Sequence, residues 1–209
     1  MKRFGLSLVS MLVGFAPPQD DGATREKQIA ANELSAPATL KAIAAANLDF
    51  RANDRDGNRV KDFWVGDVSG LYRIDPGAGM IKTIELSIAL ADAHPSVPLV
   101  AEGAFPGDKK TKLRAAGKLA PKGGYFFTAL EKYPPDGRTH VRYDTGDGRN
   151  PDRFGLCAYP SEYGVHGNYT FVLIQEGEWG TVFRCDTGGI PVTAFPSDDQ
   201  LKRKWGKVD

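Results

Sequence analysis

A run of carboxylate and amide side chains between residues 53 and 62 is the clearest cation-binding pattern in the chain. Its oxygen donors surround Gly57 and are Asn53, Asp54, Asp56, Asn58 and Asp62. Calcium takes about six to eight oxygen ligands on tight, glycine-containing turns. The EF-hand register is not met, because aligning Gly57 with the invariant glycine puts Ala52 at the first ligand position. The pattern is typical of a weak calcium site or of a purely turn-forming loop, and both interpretations stay open.

A second candidate site combines aromatic and acidic side chains just after a predicted strand. Tyr159, Glu162 and Tyr163 precede Gly164, and this mixture favours a binding role in which Trp179 is a neighbouring aromatic residue. The alternative is structural. Gly164 and Gly167 would then serve the positive-φ positions of a hairpin while the tyrosines cover the sheet.

The two cysteines, Cys157 and Cys185, lie in predicted strands with apolar neighbours. An exported protein favours a disulfide between them. In a simple meander, however, they would be two strand spacings of about 4.8 Å apart. That separation of roughly 10 Å exceeds the limit of about 7 Å between bridged Cα atoms. A disulfide therefore requires a different strand order, and two inert buried thiols are the alternative.

No catalytic residue is predicted. The three histidines, His94, His140 and His166, have no metal-binding spacing such as His-x-x-x-His. The sequence also has no Gly-x-Ser-x-Gly nucleophile elbow and no phosphate-binding glycine loop. The formal net charge of +1 over 209 residues argues against a nucleic-acid partner.

The first residues have the pattern of an export signal. The basic residues Lys2 and Arg3 follow Met1, and an apolar stretch comes next at residues 4–16. This stretch is shorter than the roughly 20 apolar residues of a membrane span. Pro17 would hinder cleavage after Ala16, and a buried N-terminal strand or helix is the alternative. We expect an exported bacterial protein of the periplasm or cell envelope, with membrane contact only through residues 4–16 if they are uncleaved.

These candidate sites require a scaffold, and the periodicity of the sequence predicts an α+β fold. Residues 24–53 have helical spacing, with Leu40, Ile43, Asn47 and Phe50 on one face; a bend at Pro37 or a separate helix after Ser35 are alternatives. A second helix is predicted at about 81–93. Predicted strands follow at 125–130, 140–143, 154–159, 169–174 and 181–186. The first two are expected to pair with each other, and the last three to form an antiparallel meander.

We therefore predict three regions. Residues 1–16 are the export signal or a short apolar leader, residues 17–34 are a linker or helix start, and residues 35–209 form a single α+β domain. In this domain an N-terminal amphipathic helix packs on an antiparallel sheet. The tail after Pro191 is expected to return to the core through Phe195, Leu201 and Trp205.

The order of these motifs resembles a bacterial family of exported proteins of unknown function. The resemblance covers roughly residues 30–205 and depends on Asn32-Glu33, Tyr159-Pro-Ser-Glu-Tyr-Gly164, Thr170-Phe171 and Asp186-x-Gly-Gly189. The layout is also similar to type IV pilins and the major pseudopilins of general secretion. The prepilin cleavage site is absent, since Ala16-Pro17-Pro18 follows Gly14-Phe15.

The resemblance implies a structural or interaction module of the cell envelope with a pilin-like layout, not an enzyme with known catalytic residues. Its partners would be other envelope proteins, and no cofactor is expected apart from calcium at residues 53–62. The alternative function is an envelope hydrolase or a small-ligand-binding domain that uses the loops at residues 53–67 and 160–167.

Overall fold

The fold is described by a computed structural model that covers residues 22–77, 79–95, 119–130, 132–133, 141–142 and 149–208. The predicted leader at residues 4–16 lies outside these ranges. The helices are α1 (Gly22–Ala52), a short 3-10 helix (Ser69–Tyr72), α2 (Leu86–Leu90) and α3 (Asp198–Lys204). The strands are β1 (Phe63–Trp64), β2 (Tyr125–Ala129), β3 (Lys132–Tyr133), β4 (Val141–Arg142), β5 (Arg149–Asn150), β6 (Arg153–Pro160), β7 (Thr170–Glu176), β8 (Trp179–Cys185) and β9 (Gly206–Lys207).

One long helix, α1, forms the N-terminal part of the described chain. It has 31 residues and continues through Pro37, so the single long helix is confirmed and the separate helix after Ser35 is not formed. At about 1.5 Å per residue it is roughly 46 Å long. Its predicted apolar face is buried and includes Leu40, Ile43, Asn47 and Phe50. Within the described ranges no helix combines the length and the apolar character that crossing a bilayer requires.

The main sheet has five strands in the order β2-β6-β7-β8-β9, and every neighbouring pair is antiparallel. The predicted meander is therefore confirmed in β6, β7 and β8. The predicted pairing of residues 140–143 with 125–130 is wrong, because β4 pairs with β3 and β2 pairs with β6. β2 is buried along most of its length, and all five of its residues pair with the long strand β6.

The two faces of the sheet are covered by different parts of the chain. α1 packs on the face that contains Phe127, Leu156 and Leu173. On the opposite face, the C-terminal tail brings Phe195 and Trp205 against a second cluster of Leu130, Cys157 and Val172. The α+β prediction and the return of the tail through Phe195 and Trp205 are thus confirmed.

The second helix is much shorter than the 81–93 predicted. Ile81 forms a bridge with Ile74, and the helix begins only after Glu85, whose backbone is extended. At the other end, Ala91 accepts a hydrogen bond from the backbone of Phe127 and Ala93 donates one to it. Bonding to β2 replaces the continuation of the helix.

Candidate functional site

The loop between β6 and β7, residues 161–168, is a compact turn that is bonded within itself. The backbone N–H groups of Val165 and His166 both donate to the carbonyl of Glu162, and Gly164 donates to the carbonyl of Gly167 at 2.9 Å. Gly164 has a φ of +72°, a conformation that glycine adopts without steric cost. We call these residues the β6–β7 loop.

Three side chains from the first half of α1 bind this loop. The Arg25 guanidinium donates to the carbonyl of Gly164 through Nε at 3.1 Å and through Nη2. Asn32 Nδ2 donates to the carbonyl of His166 at 2.9 Å, and the Glu33 carboxylate accepts the N–H of Asn168 at 2.7 Å. Charged and amide groups of the helix thus satisfy backbone groups more than 130 residues away in sequence.

Ser161 and His166 form the contact within this loop that most resembles catalytic chemistry. Ser161 Oγ lies 2.9 Å from His166 Nδ1 and 3.0 Å from the carbonyl oxygen of Gly124. A carbonyl can only accept, and a hydroxyl has one hydrogen to donate. When both bonds form, the serine donates to Gly124 and His166 Nδ1 is the donor to the serine. In that arrangement the histidine is not a base for the hydroxyl, and the pair joins the loop to β2.

A buried tyrosine supports the loop from below. Tyr125 Oη donates to the carbonyl of Tyr169 at 2.9 Å, and burial, with a smaller contribution from the charge of Glu33, raises the pKa of its hydroxyl. Gly167 lies against this hydroxyl: a Cβ at that position would be 2.0 Å from Tyr125 Oη. The absence of a side chain at Gly167 is what allows the tyrosine to pass under the loop.

The turn after β8 completes the site. The Asp186 carboxylate accepts hydrogen bonds from Tyr163 Oη at 3.0 Å and from the N–H of Gly188 at 2.9 Å. Bonding to this carboxylate raises the pKa of Tyr163. A Cβ on Gly189 would be 2.8 Å from that of Tyr163, so the ring packs directly on the glycine backbone.

One predicted binding residue, Tyr163, therefore meets Asp186 at an exposed surface, and Glu162, which precedes it in the loop, is also exposed. Tyr163 is 45% exposed and Ile190, which follows the turn, is 68% exposed. We call Glu162, Tyr163 and residues 186–190 the tyrosine surface. The third predicted residue, Tyr159, packs beside the cluster of Cys157 and Val172, on the sheet face covered by the tail.

Trp179 is not a neighbour of this surface, contrary to the interpretation of the sequence. β8 pairs with β7 so that Cys185 is opposite Thr170, beside the β6–β7 loop, whereas Trp179 is opposite Glu176. Six residues of β7 separate the two ends, a distance of about 20 Å. In a meander, successive turns lie at opposite ends of the sheet. Trp179 follows the turn after β7, so it lies at the end of the sheet opposite the β6–β7 loop.

The acidic loop, residues 53–62, bonds mainly to itself and to the adjacent helix end. The Asp54 carboxylate accepts the N–H of Arg59 at 3.0 Å, and Asn58 donates to Asp56 at 3.0 Å. Asn53 donates to the Asp49 carboxylate, which also binds Arg55; Arg55 in turn lowers the pKa of Asp49.

Asp62, the last of the predicted calcium ligands, is buried. Within the described residues, no three His, Cys, Asp or Glu side chains come together in a group that could hold a metal ion. A calcium site here would therefore depend largely on amide and backbone oxygens. It stays a prediction.

A buried pair of carboxylates next to the acidic loop was not predicted. Asp67 accepts hydrogen bonds from Trp64 Nε1 at 2.9 Å and from Ser69 Oγ at 3.1 Å. Asp92 accepts the N–H groups of Val68, at 2.9 Å, and Ser69, at 2.7 Å. Burial, and then the nearby charge of Asp67, raise the pKa of Asp92 to about 6. Asp92, which directly follows Ala91 at the end of α2, thus holds the 3-10 helix against α2, and both carboxylates are buried.

Cys157 and Cys185 are both free thiols in the structure. Cys157 is opposite Val172 in β7, and Cys185 lies on β8 beyond it, so a whole strand separates the two residues. This is the simple meander, in which the two Cα atoms lie too far apart for a disulfide. The predicted disulfide is not formed. Burial raises the pKa of Cys157 to about 12 and also raises that of Cys185, so neither is an activated nucleophile.

The two loops named in the hydrolase alternative lie toward different ends of α1. Asn32 binds the β6–β7 loop, whereas Asn47 binds both backbone groups of Trp64, at 2.6 and 2.8 Å. Fifteen helical residues between them correspond to about 22 Å. A single pocket containing Glu162 together with Asp62 or Asp67 is therefore not formed.

Sequence reasoning missed most of the side chains that build the tyrosine surface and its support. Arg25 binds a backbone carbonyl, and Ser161 and His166 bind each other and backbone groups, so their positions follow no known motif spacing. The available signal was the resemblance. The residues quoted for it, Asn32-Glu33, the run at 159–164 and the Asp-x-Gly-Gly run at 186–189, converge on this one location.

Comparison with known proteins gives one match. No curated protein and no solved structure matches the chain. The expectation of an uncharacterised family is confirmed, and the pilin-like relationship stays a prediction. From residue 15 to residue 194 the chain matches the model of a family described as protein of unknown function (DUF2950), and it belongs to that family.

Proposed function

We propose that the protein is an exported component of the bacterial cell envelope and works as a structural or interaction module. The tyrosine surface is its proposed contact site. Export is supported by the basic residues Lys2 and Arg3 ahead of the apolar stretch at 4–16. A long helix packed on an antiparallel sheet supports a pilin-like organisation, in which the leader would precede the helix.

One observation carries the proposal: the backbone groups of the β6–β7 loop are bonded to α1, whereas the side chain of Tyr163 on the same loop is exposed to solvent. The backbone groups are bound by Arg25, Asn32 and Glu33. Tyr163 and Ile190 remain exposed on this fixed frame. Rigid aromatic side chains are the residues that most often carry binding energy, since little conformational freedom is lost when a partner covers them.

The hydrolase alternative has less support. The hydroxyl of Ser161 is bound to a carbonyl, and both cysteines have raised pKa values. The acidic loop and the β6–β7 loop are separated along α1, so their carboxylates do not form a pair. No observation on the described residues favours a particular hydrolytic reaction.

Mass spectrometry of native envelope fractions tests the location. We expect the protein in the envelope, with its N-terminus either processed near residue 17 or retained with the leader. Recovery only from the soluble cytoplasmic fraction, with residues 1–16 intact, would contradict the proposed export.

Photo-cross-linking in living cells tests the contact site. A photoreactive amino acid replaces Tyr163 in one variant and Trp179 in the other. Trp179 is a stringent control, because it is 84% exposed and lies at the far end of the sheet. We expect a discrete adduct from position 163 only. Equal adducts from both positions, or none from position 163, would argue against a contact at the tyrosine surface.

A further inference from the structure

The last segment of the chain that the structure describes presents a basic surface. Four exposed cations lie on α3 and β9, namely Lys202, Arg203, Lys204 and Lys207. Residues 200–208 contain no Asp or Glu, and the acids of α3, Asp198 and Asp199, are confined to its first turn. This segment follows residue 194, where the match to the family model ends. We call these four residues the C-terminal basic surface.

The backbone that carries these cations is fixed at three points. Ser197 and Gln200 form a reciprocal capping box at the start of α3. Trp205 packs against the cluster that contains Phe195. β9 pairs with β8, and the N–H of Val208 donates to the carbonyl of Val182 at 2.9 Å. The basic surface is therefore held in a defined position on the edge of the sheet.

These charges have little internal use. Arg203 lies 3.9 Å from Asp199, an exposed pair of the kind that contributes little to stability. Among the described side chains, no carboxylate forms an ion pair with Lys202, Lys204 or Lys207. Cations in the last turn of a helix interact favourably with its dipole, but Lys207 lies outside α3 and is not explained in this way.

We propose that the C-terminal basic surface binds the anionic headgroups of a phospholipid bilayer. This inference rests on the proposed location in the cell envelope. Val208 is exposed and Trp205 is partly exposed beside the lysines, and such apolar and aromatic atoms suit the interface between water and lipid. A nucleic-acid partner is disfavoured by the net charge of only +1 for the whole chain.

Co-sedimentation of the full chain with lipid vesicles tests the proposal. Vesicles of phosphatidylcholine alone are compared with vesicles that also contain phosphatidylglycerol. Each cation near an anionic surface strengthens binding about fivefold, so replacing Lys202, Lys204 and Lys207 with Gln is expected to weaken binding on the order of 100-fold. Raising the ionic strength from about 0.1 to 1 M shortens the screening length from about 10 to 3 Å and is expected to release the wild-type chain.

A control variant with the same loss of charge separates position from net charge. It replaces Lys27, Arg59 and Lys61 with Gln; these residues are exposed and lie far from β9 in the sequence. We expect it to bind like the wild-type chain. All variants retain residues 1–16, so any insertion of the leader contributes equally. Unchanged melting temperatures would confirm that the variants fold.

Three results would overturn the proposal. They are equal binding to both kinds of vesicle, equal losses in the two triple variants, or binding to a polynucleotide without binding to the anionic vesicles. The result is separable from the proposed function. If the protein is found in the envelope but does not bind anionic vesicles, the lipid-binding proposal fails and the proposed envelope function is unaffected.

Discussion

The acidic loop and the β6–β7 loop are both rich in polar residues and glycine, yet they are built in opposite ways. In the acidic loop, Asp54 binds Arg59 and Asn58 binds Asp56 and Val60, all within five residues. In the β6–β7 loop, the carbonyls of Gly164 and His166 bind side chains of α1 that are more than 130 residues away.

This difference separates local turn chemistry from tertiary structure. The bonds of the acidic loop form between neighbours in sequence, so they can form and break without the rest of the fold. The bonds from Arg25, Asn32 and Glu33 to the β6–β7 loop form only when α1 lies on the sheet. We therefore expect substitutions in the β6–β7 loop and at its contacts to affect global stability, and substitutions in the acidic loop to have small effects.

The largest expected effect comes from Gly167→Ala. The new Cβ would lie 2.0 Å from Tyr125 Oη, so the tyrosine must move and lose its bond to Tyr169. Overpacking and an unsatisfied buried hydroxyl together are expected to cost about 3 kcal/mol or more in the free energy of unfolding. Denaturant titration measures this change.

Gly57→Ala in the acidic loop is the matched control. Gly57 has a φ of +71°, and a Cβ there would meet Pro76 Cβ at 3.8 Å, an ordinary contact, so the cost is the left-handed conformation alone, about 1 kcal/mol. Equal destabilisation by the two substitutions would mean that Gly167 is not a tight contact.

The next effect concerns two asparagines. Asn32→Ala removes a buried donor and leaves the carbonyl of His166 unsatisfied, which is expected to cost about 1–3 kcal/mol. Asn58→Ala removes exposed bonds of the acidic loop and is expected to change stability by about 0.5 kcal/mol or less. Thermal melts of both variants rank them, and a larger shift for Asn58→Ala would reverse the comparison.

A smaller effect depends on pH and involves Asp92, which is buried and bonds across the chain. Its pKa is about 6 in the folded protein and near 3.8 in a model peptide, so the folded state binds a proton that the unfolded state does not. Stability is therefore gained as the pH falls through 6 and lost as it rises again. From pH 7 to pH 5 the gain is expected to be about 1 kcal/mol.

The Asp92→Asn variant should lack this gain, and the comparison of wild type with variant removes the contribution of the histidines. Parallel slopes of stability against pH for the two proteins would show that Asp92 keeps an ordinary pKa.

The smallest expected effect is that of calcium on the acidic loop. Because several loop oxygens already accept internal hydrogen bonds, we expect millimolar calcium to leave the melting temperature within error of that in chelator. A rise with calcium that disappears in the double variant Asp54→Asn/Asp56→Asn would instead establish the predicted calcium site.

The sequence predicted the parts of this protein that depend on local periodicity. The face of Leu40, Ile43, Asn47 and Phe50 and the strands β6, β7 and β8 are present as predicted. The second helix was predicted, but too long, because a tertiary contact, the bonding of Ala91 and Ala93 to Phe127, replaces helical hydrogen bonds at its end.

The candidate site was predicted only in part, for the same physical reason. Glu162 and Tyr163 were predicted as binding residues because they are adjacent in sequence, and that role stays a prediction. Their support comes from Arg25, Asn32 and Asp186, and no spacing rule relates those positions to the loop. Strand order also determines the distance between Cys157 and Cys185. The sequence alone left open whether they form a disulfide.

Native-state hydrogen exchange is the most direct test of the difference between the two loops. We expect the N–H group of Asn168 to be protected nearly to the level of global unfolding, because its release requires Glu33 on α1 to leave the loop. The N–H groups of Arg59 and Val60 should exchange through local opening within the acidic loop. Rapid exchange at Asn168, comparable to that of the acidic loop, would contradict a β6–β7 loop held rigidly by the helix.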